Sequence, residues 1–430
     1  MKRLLSRSAP LAKTVVRVTV DAHGPIGLAA VACSAGACRS RRESRFDSFQ
    51  PAHVVSTWRA LVLLGGLPAV EARAGKAPSP PPTFPDRPIA YLNHRVAEGP
   101  WSVHIVRLAR RLPGFGFETT LGQGTHLGMG TVSDQLKARP ARLGRPVAAV
   151  NGDFYDSVRG VPGRPRDLQI RHGELVSAPA GHACFWLTAD GTPHATNVSS
   201  RFRIVWPSGA STPVGLNQDR ADDALVLYSG VAASRTPGGR EFVLEGVPTR
   251  SWLPLRVGQT HVGRVRGSPP ADGSAMAPDT LVLSIGPRAA GNLPSIEPGT
   301  TPVQIVTETM PPLSEVDTAV AGGPMLVHRG RPMQWNGLIQ PRHPRSALGW
   351  NADHFFLVQV DGRQEDLSVG MTLQEFADYL ARLGCQEAIN FDGGGSATLW
   401  AFGNVQNSPS EGQERPCPNA LVIVKRNDGP

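Results

Sequence analysis

The sequence predicts an α+β fold with largely antiparallel or mixed sheets and few helices. Three observations carry that expectation. From about 195 to 310, short apolar runs such as Arg203-Ile204-Val205-Trp206 and Thr280-Leu281-Val282-Leu283-Ser284 sit between Gly, Pro and Ser clusters, which is a strand-and-turn rhythm. Helical periodicity is confined to 372–383, with a weaker signal near 133–139. Three strand-like runs end in an Asx-Gly pair.

In chain order, residues 1–84 read as a leader, signal peptide and Pro-rich linker, and 85–430 as the folded body. The net charge is +9, but residues 1–76 hold 12 Lys+Arg against 4 Asp+Glu, leaving 32 against 31 for the rest. The basic excess belongs to the leader, and there is no basic-aromatic stripe, so nucleic acid is not expected as a partner. Arg59 precedes the apolar run Ala60–Val70, and Ala72-Arg73-Ala74 then fits a small-x-small cleavage site. That run is too short for a stable transmembrane segment, so the protein is expected to be exported, periplasmic or extracellular. Lys76-Ala77-Pro78-Ser79-Pro80-Pro81-Pro82 is a linker pattern. Of five cysteines, Cys184, Cys385 and Cys417 lie beyond the leader, at no metal-ligand spacing.

Within the body, Pro146–Val150 is a buried-strand pattern ending in Asn151-Gly152-Asp153, and Phe355–Val360 ends in Asp361-Gly362-Arg363. Thr372-Leu373-Gln374-Glu375 is a capping box opening a helix that stops at Gly384. A strand over 387–391 then leads into Asp392-Gly393-Gly394-Gly395-Ser396. Three consecutive glycines cost backbone entropy, so a fold keeps them where φ is positive or where a ligand approaches the main chain. Asp-Gly is also a hairpin signal, so a plain turn from 387–391 into 397–402 is the alternative. If the three Asx-Gly strands lie side by side and point the same way, Asp153, Asp361 and Asp392 gather at one sheet edge. Arg345 and Arg363 are candidate phosphate clamps, since a guanidinium meets phosphate oxygens in pairs. His343 beside Pro344 is a candidate acid.

The ordered set Val360-Asp361-Gly362-Arg363, Ser368-Val369-Gly370-Met371-Thr372-Leu373, Leu383-Gly384-Cys385 and Ile389–Ser396 resembles the signature of the phosphodiester glycosidase family. Matches at Val150–Phe154, Gly322-Gly323-Pro324-Met325-Leu326-Val327, His343–Gly349, Arg415-Pro416 and Asn419-Ala420-Leu421 extend the resemblance over roughly 147–424. Asp153 stands where that family usually has a second glycine. The resemblance implies a catalytic domain over 85–430 that hydrolyses the C1–O bond of a sugar-1-phosphodiester on an envelope or extracellular glycan. Asp392, Asp361, Arg345, His343 and Asp153 would then be catalytic. Asn151, Gly323, Arg363, Gly393, Gly394, Gly395, Ser396, Arg415 and Asn419 would bind substrate and phosphate. Two other classes remain open: a metal-dependent phosphodiesterase using the same aspartates to bind Mg²⁺ or Ca²⁺, and a non-catalytic envelope glycan-binding protein. No cofactor is required by the sequence, and a metal site is not specified by it.

If Ala72-Arg73-Ala74 is a cleavage site, the secreted protein begins near Gly75. N-terminal sequencing of material from the host envelope or medium checks this, and a chain retaining 60–74 would refute it.

Overall fold

The structure, a computed structural model, describes residues 80–155, 163–232, 234–247, 252–269, 279–335 and 341–427. The chain divides into two units, Met1–Ala74 and Gly75–Pro430. The signal peptide read from 60–74 lies outside the described residues. Among those residues no helix is long and apolar enough to cross a membrane, which leaves β-barrel crossing unaddressed.

The fold is mostly β, and this corrects the α+β expectation. A seven-stranded antiparallel sheet runs in the order Ile89–Val96, Trp101–Ala109, His354–Val360, Arg345–Trp350, Glu387–Asn390, Met325–His328, Arg331–Pro332. A five-stranded antiparallel sheet is ordered Asn404–Val405, Leu399–Ala401, Arg145–Asn151, Ala420–Lys425, Phe115–Thr119. The β-rich stretch of 195–310 supplies most of a third, 12-stranded sheet. Its long strand Pro193–Val205 pairs with both Ala180–Thr188 and Pro302–Met310.

The two α-helices among the described residues, Val132–Lys137 and Leu373–Arg382, match the two periodic segments. Leu373–Arg382 packs on the seven-stranded sheet, where Phe376 and Leu380 share a core with Ile105, Ala347 and Val358, and it is the longer of only two α-helices against 24 strands among the described residues. An isolated amphipathic helix reports its own buried stripe and nothing about what covers the sheets. Here the sheets cover one another. Val106 and Leu348 from the seven-stranded sheet, Val147 and Phe117 from the five-stranded sheet and Phe185 and Val320 from the 12-stranded sheet share one core. Phe117 stands edge-on to Phe355 at 4.8 Å between ring centres, and Phe185 meets Trp350 at 5.5 Å.

That arrangement decides where the Asx-Gly strand ends go. His354–Val360 and Glu387–Asn390 both run antiparallel to Arg345–Trp350 between them, so they point the same way and end at one edge. Arg145–Asn151 belongs to the five-stranded sheet, so the three acidic ends come from two sheets. The stretch after Asn390 is no hairpin, because Leu399–Ala401 pairs with Arg145–Asn151. The glycine run therefore bridges two sheets, and the fully buried Phe391 pins its start into the shared core.

Helix Leu373–Arg382 has both halves of its capping box: the Thr372 hydroxyl accepts from the Glu375 amide, and the Glu375 carboxylate accepts from the Thr372 amide. Thr372→Ala should destabilise the protein by about 1 kcal/mol, with Thr372→Ser close to wild type; urea denaturation measures both.

Candidate active site

The glycine loop is held from three directions. Phe391 N–H donates to Ser346 O at 2.8 Å, Asp392 N–H to Gly152 O at 3.0 Å, and Gly394 N–H to Pro344 O at 2.9 Å. The Asn151 amide donates to Asp392 O at 2.7 Å, while its Oδ1 accepts from Ser346 Oγ at 2.7 Å and Thr398 N–H at 3.0 Å. Gly394 sits at φ 61°, the left-handed region that favours glycine. Gly395 lets a guanidinium close in: a Cβ there would run into Arg415 and Glu411. Gly394 and Gly395 begin a short 3₁₀ turn ending at Ser396, which is buried.

Two of the glycine amides have partners within the protein: Gly393 N–H donates to Asp392 Oδ1 at 2.9 Å, and Gly394 N–H to Pro344 O. Positive charge around the loop comes instead from side chains. Arg363, at φ 61° and exposed, approaches Gly394 so closely that a Cβ there would lie 3.0 Å from its Nη2. The same Nη2 is 3.2 Å from His343 Nδ1. Arg345 donates through Nε to Met371 O at 3.0 Å and through Nη2 to Pro341 O at 3.2 Å. Among the described residues neither Arg345 nor Arg363 has an ion-pair partner, whereas Arg415 is paired with Glu411. Burial first, then the neighbouring Arg363 charge, lowers Arg345 to about 10. Burial, Arg345 and Arg363 also push His343 below the usual histidine value.

Carboxyl groups meet the opposite pressure. Burial raises Asp392 above the ordinary range, opposed by the Ser396 hydroxyl, the Gly393 amide, Arg415 and Arg166. Asp153 is wholly buried and raised to about 7 by desolvation, although its oxygens accept from Phe154 N–H at 2.8 Å and Asp167 N–H at 2.7 Å. Asp153 N–H in turn donates to Asn419 Oδ1 at 2.9 Å, and Asn419 Nδ2 to Gln169 Oε1 at 2.9 Å. Asp153 and Asp392 are therefore brought together through Gly152. Asp361 lies at the same sheet edge but its side chain is committed elsewhere, with Oδ2 2.8 Å from His104 Nε2 and Oδ1 accepting from Ser408 N–H at 2.9 Å. Gly323 supports the loop from outside: its N–H donates to Asn390 O at 2.7 Å and its carbonyl accepts from Asn390 Nδ2 at 2.9 Å.

Three neighbours escaped the sequence reading. Arg166 acts on both Asp153 and Asp392, lies over the Phe154 ring at 4.5 Å, and donates through Nη2 to Gly322 O at 3.2 Å. Asp167 is fully buried, and its Oδ2 is 2.9 Å from His182 Nδ1. The Arg164-Pro165-Arg166-Asp167 cluster, just downstream of Asn151-Gly152-Asp153, was the available signal, but no periodicity or motif marks it. Among the described residues no three His, Cys, Asp or Glu side chains are gathered so as to hold a metal ion.

The raised Asp153 predicts a stability change with a definite sign. Its folded form keeps a proton over pH values where the unfolded chain has lost it, so its contribution to stability falls as pH rises from about 4 to about 7. Asp153→Asn has no such proton, and its cost in urea denaturation should be smaller at pH 8 than at pH 5. An equal cost at both would show that Asp153 titrates normally.

Residues 260–424 match the family model described as phosphodiester glycosidase. Among curated proteins, the SPbeta prophage-derived uncharacterized protein YomE of Bacillus subtilis (strain 168) is 33% identical over 91 residues, 21% of this chain and 14% of that protein. Among solved structures, a Synechocystis protein described as hypothetical superposes with TM-score 0.58 at 19% identity, covering 79% of this chain and 62% of its own. A Burkholderia pseudomallei K96243 protein described as an exported-protein candidate gives TM-score 0.57 at 22% identity, over 76% of this chain and 74% of its own. The chain thus spans a small part of its curated relative and under two thirds of the Synechocystis protein. At these identities the two structures show a shared fold. The catalytic domain of zebrafish N-acetylglucosamine-1-phosphodiester alpha-N-acetylglucosaminidase, auto-inhibited by its pro-peptide, gives TM-score 0.39 at 16% identity over 79% of this chain and 82% of its own, too low to bear on the fold. By its motifs and by the model match over 260–424, the chain is similar to the phosphodiester glycosidase family.

Proposed function

We propose that this chain is an exported hydrolase that cleaves the C1–O bond of a sugar-1-phosphodiester, with the glycine loop as its centre. One observation carries the proposal: a half-buried carboxyl, Asp392, opens a loop against which Arg363 and Arg415 are packed, with Arg345 alongside Arg363. Like charges held this close, two of them without a carboxylate partner, are stabilised by a bound anion. A phosphodiester supplies one.

The chemistry follows from the leaving group. Phosphate is weakly basic, so strong protonation by a general acid is less needed than for an alcohol leaving group. Arg345, Arg363 and Arg415 would bind the phosphoryl oxygens and stabilise the charge that builds as the C1–O electron pair moves onto oxygen. Asp392, ionised, would stabilise the oxocarbenium character at C1 or attack it directly. Water completes the reaction, its oxygen ending on C1, with a free sugar and a phosphomonoester as products. His343, facing the arginines and biased towards its neutral form, would accept a hydrogen bond from Arg363 and hold that side chain over Gly394. Asp153, with both oxygens engaged by main-chain amides, would act through the charge balance around Arg166. Asp361 would hold the sheet edge through His104. Asn151, Asn419, Gly323 and Ser396 would keep the loop in place. Export rests on the Ala60–Val70 run and the cleavage pattern after it.

Asp392→Asn keeps size and removes charge. Turnover of a sugar-1-phosphodiester should fall by roughly two or more orders of magnitude, with the melting temperature unchanged or raised, since a partly desolvated carboxyl is relieved. Products from a panel of sugar-1-phosphodiesters, identified by mass spectrometry in ¹⁸O water, test the reaction itself. Label in the free sugar supports C1–O cleavage; label in phosphate means cleavage at phosphorus, and no product from any member rejects the enzyme assignment.

A further inference from the structure

Beside the loop lies a cleft of about 530 Å³, within the range of small-molecule sites. Phe154, Arg166, His182, Asn197, Met333 and Trp335 line it. It adjoins the reacting region, since Arg166 acts on Asp392 and the lining residue Gly323 is hydrogen bonded to Asn390. Its character differs from that of the arginine cluster. Much of the wall is apolar or aromatic, with amides and one imidazole between.

His182 is held for use. The buried Asp167 accepts from the main-chain N–H of Leu168 at 2.7 Å, Ala180 at 2.7 Å and His182 at 3.0 Å, and its Oδ2 is 2.9 Å from His182 Nδ1. A carboxylate at Nδ1 selects the tautomer with its proton there, which leaves Nε2 as an acceptor. The side chain is 48% exposed, so this anchoring orients a surface group. Asn197 is also exposed. Arg166 Nε is buried without a hydrogen-bond partner, while the arginine's charge faces Asp153 and Asp392. With two carboxyls already facing Arg166, the cleft has no surplus positive charge for an anionic ligand.

We propose that this cleft is the sugar subsite and takes a neutral pyranose ring, Trp335 and Met333 lying against its apolar face while His182 Nε2 and Asn197 read its hydroxyls. The proposal deepens the glycosidase assignment and rests on it: the phosphate half would go to Arg345, Arg363 and Arg415, and the sugar half to the cleft, with Asp392 at the junction. Aromatic walls with a few placed polar groups suit a ring that is polar at its rim and apolar on its faces.

Binding measured without turnover separates this subsite from the reaction. The probes are methyl glycosides of glucose, galactose, mannose and N-acetylglucosamine, methyl glucuronide as an acidic sugar, and glycerol phosphate for the other half, titrated by ligand-observed NMR. At least one neutral glycoside should bind, and His182→Gln and Asn197→Ala should each weaken it about fivefold, the scale of one lost hydrogen bond. Arg363→Met should leave glycoside binding intact and weaken glycerol phosphate. Met333→Ser, at a 42% exposed position, gives a further cleft variant that leaves the core untouched. Circular dichroism checks the fold of each variant. No binding of any neutral glycoside, binding indifferent to His182→Gln, Asn197→Ala and Met333→Ser, or tighter binding of the glucuronide would each overturn the proposal. A protein that binds glycosides at the cleft yet hydrolyses no phosphodiester would keep the subsite and lose the reaction.

Discussion

The buried Asn151 amide is the interaction on which the loop depends. It stands at the end of a strand of the five-stranded sheet, yet its side chain reaches Ser346 in the seven-stranded sheet and both ends of the glycine loop, at Asp392 and Thr398. Only a group that both donates and accepts can do this from one position. A carboxylate would leave Asp392 O without its donor, and an apolar side chain would strand all three partners in a dry interior. The next residue continues the arrangement, because Gly152 meets Asn419 closely and Asn419 holds the Asp153 amide. Two sheets are thus joined at the point where the acidic strand ends converge.

Around that joint, charge is held under tension. Burial pushes Asp392 and Asp153 towards neutrality and Arg345 away from its ordinary value. Each shift reflects a charge the protein has only partly solvated. Arg166, placed against both carboxyls, relieves part of the negative side, while Arg345 and Arg363 keep theirs open. Asp361 belongs to a different network, in which His104 lies 2.8 Å from its carboxylate and 2.8 Å from the Tyr91 hydroxyl. Asp361 and Asp392 follow two strands that run the same way on either side of Arg345–Trp350, and they do different work because their side chains enter different surroundings.

Local features were readable because their causes are local. The capping box, the apolar stripe of Leu373–Arg382 and its stop at Gly384 involve contacts within a turn or two of chain, and the structure reproduces them. The glycine run and its acidic neighbour signalled a special loop for an equally local reason, the backbone cost of three glycines. Fold class was not readable in that way. One strong helix suggested α+β, but class depends on which element covers which sheet face, and hydrophobic periodicity does not record the partner. His182, Asp167 and Arg166 escaped for the same reason: each draws its importance from a neighbour distant in sequence or from the shape of a cleft.

What the sequence determined by itself was the strands that end in Asx-Gly, the helix with its cap, the loop that departs from ordinary turn chemistry, and the resemblance to the phosphodiester glycosidase family that the family model bears out over 260–424. The tertiary structure decided that the loop crosses between sheets instead of turning back as a hairpin, that Asp392 is tied through Gly152 to the strand end before Asp153 while Asp361 turns to His104, and that a cleft opens nearby. Strand and helix formation follow from short-range sterics and periodic burial, which neighbouring residues encode. Sheet order, side-chain charge and cavity shape arise only when segments hundreds of residues apart are packed together and lose their water.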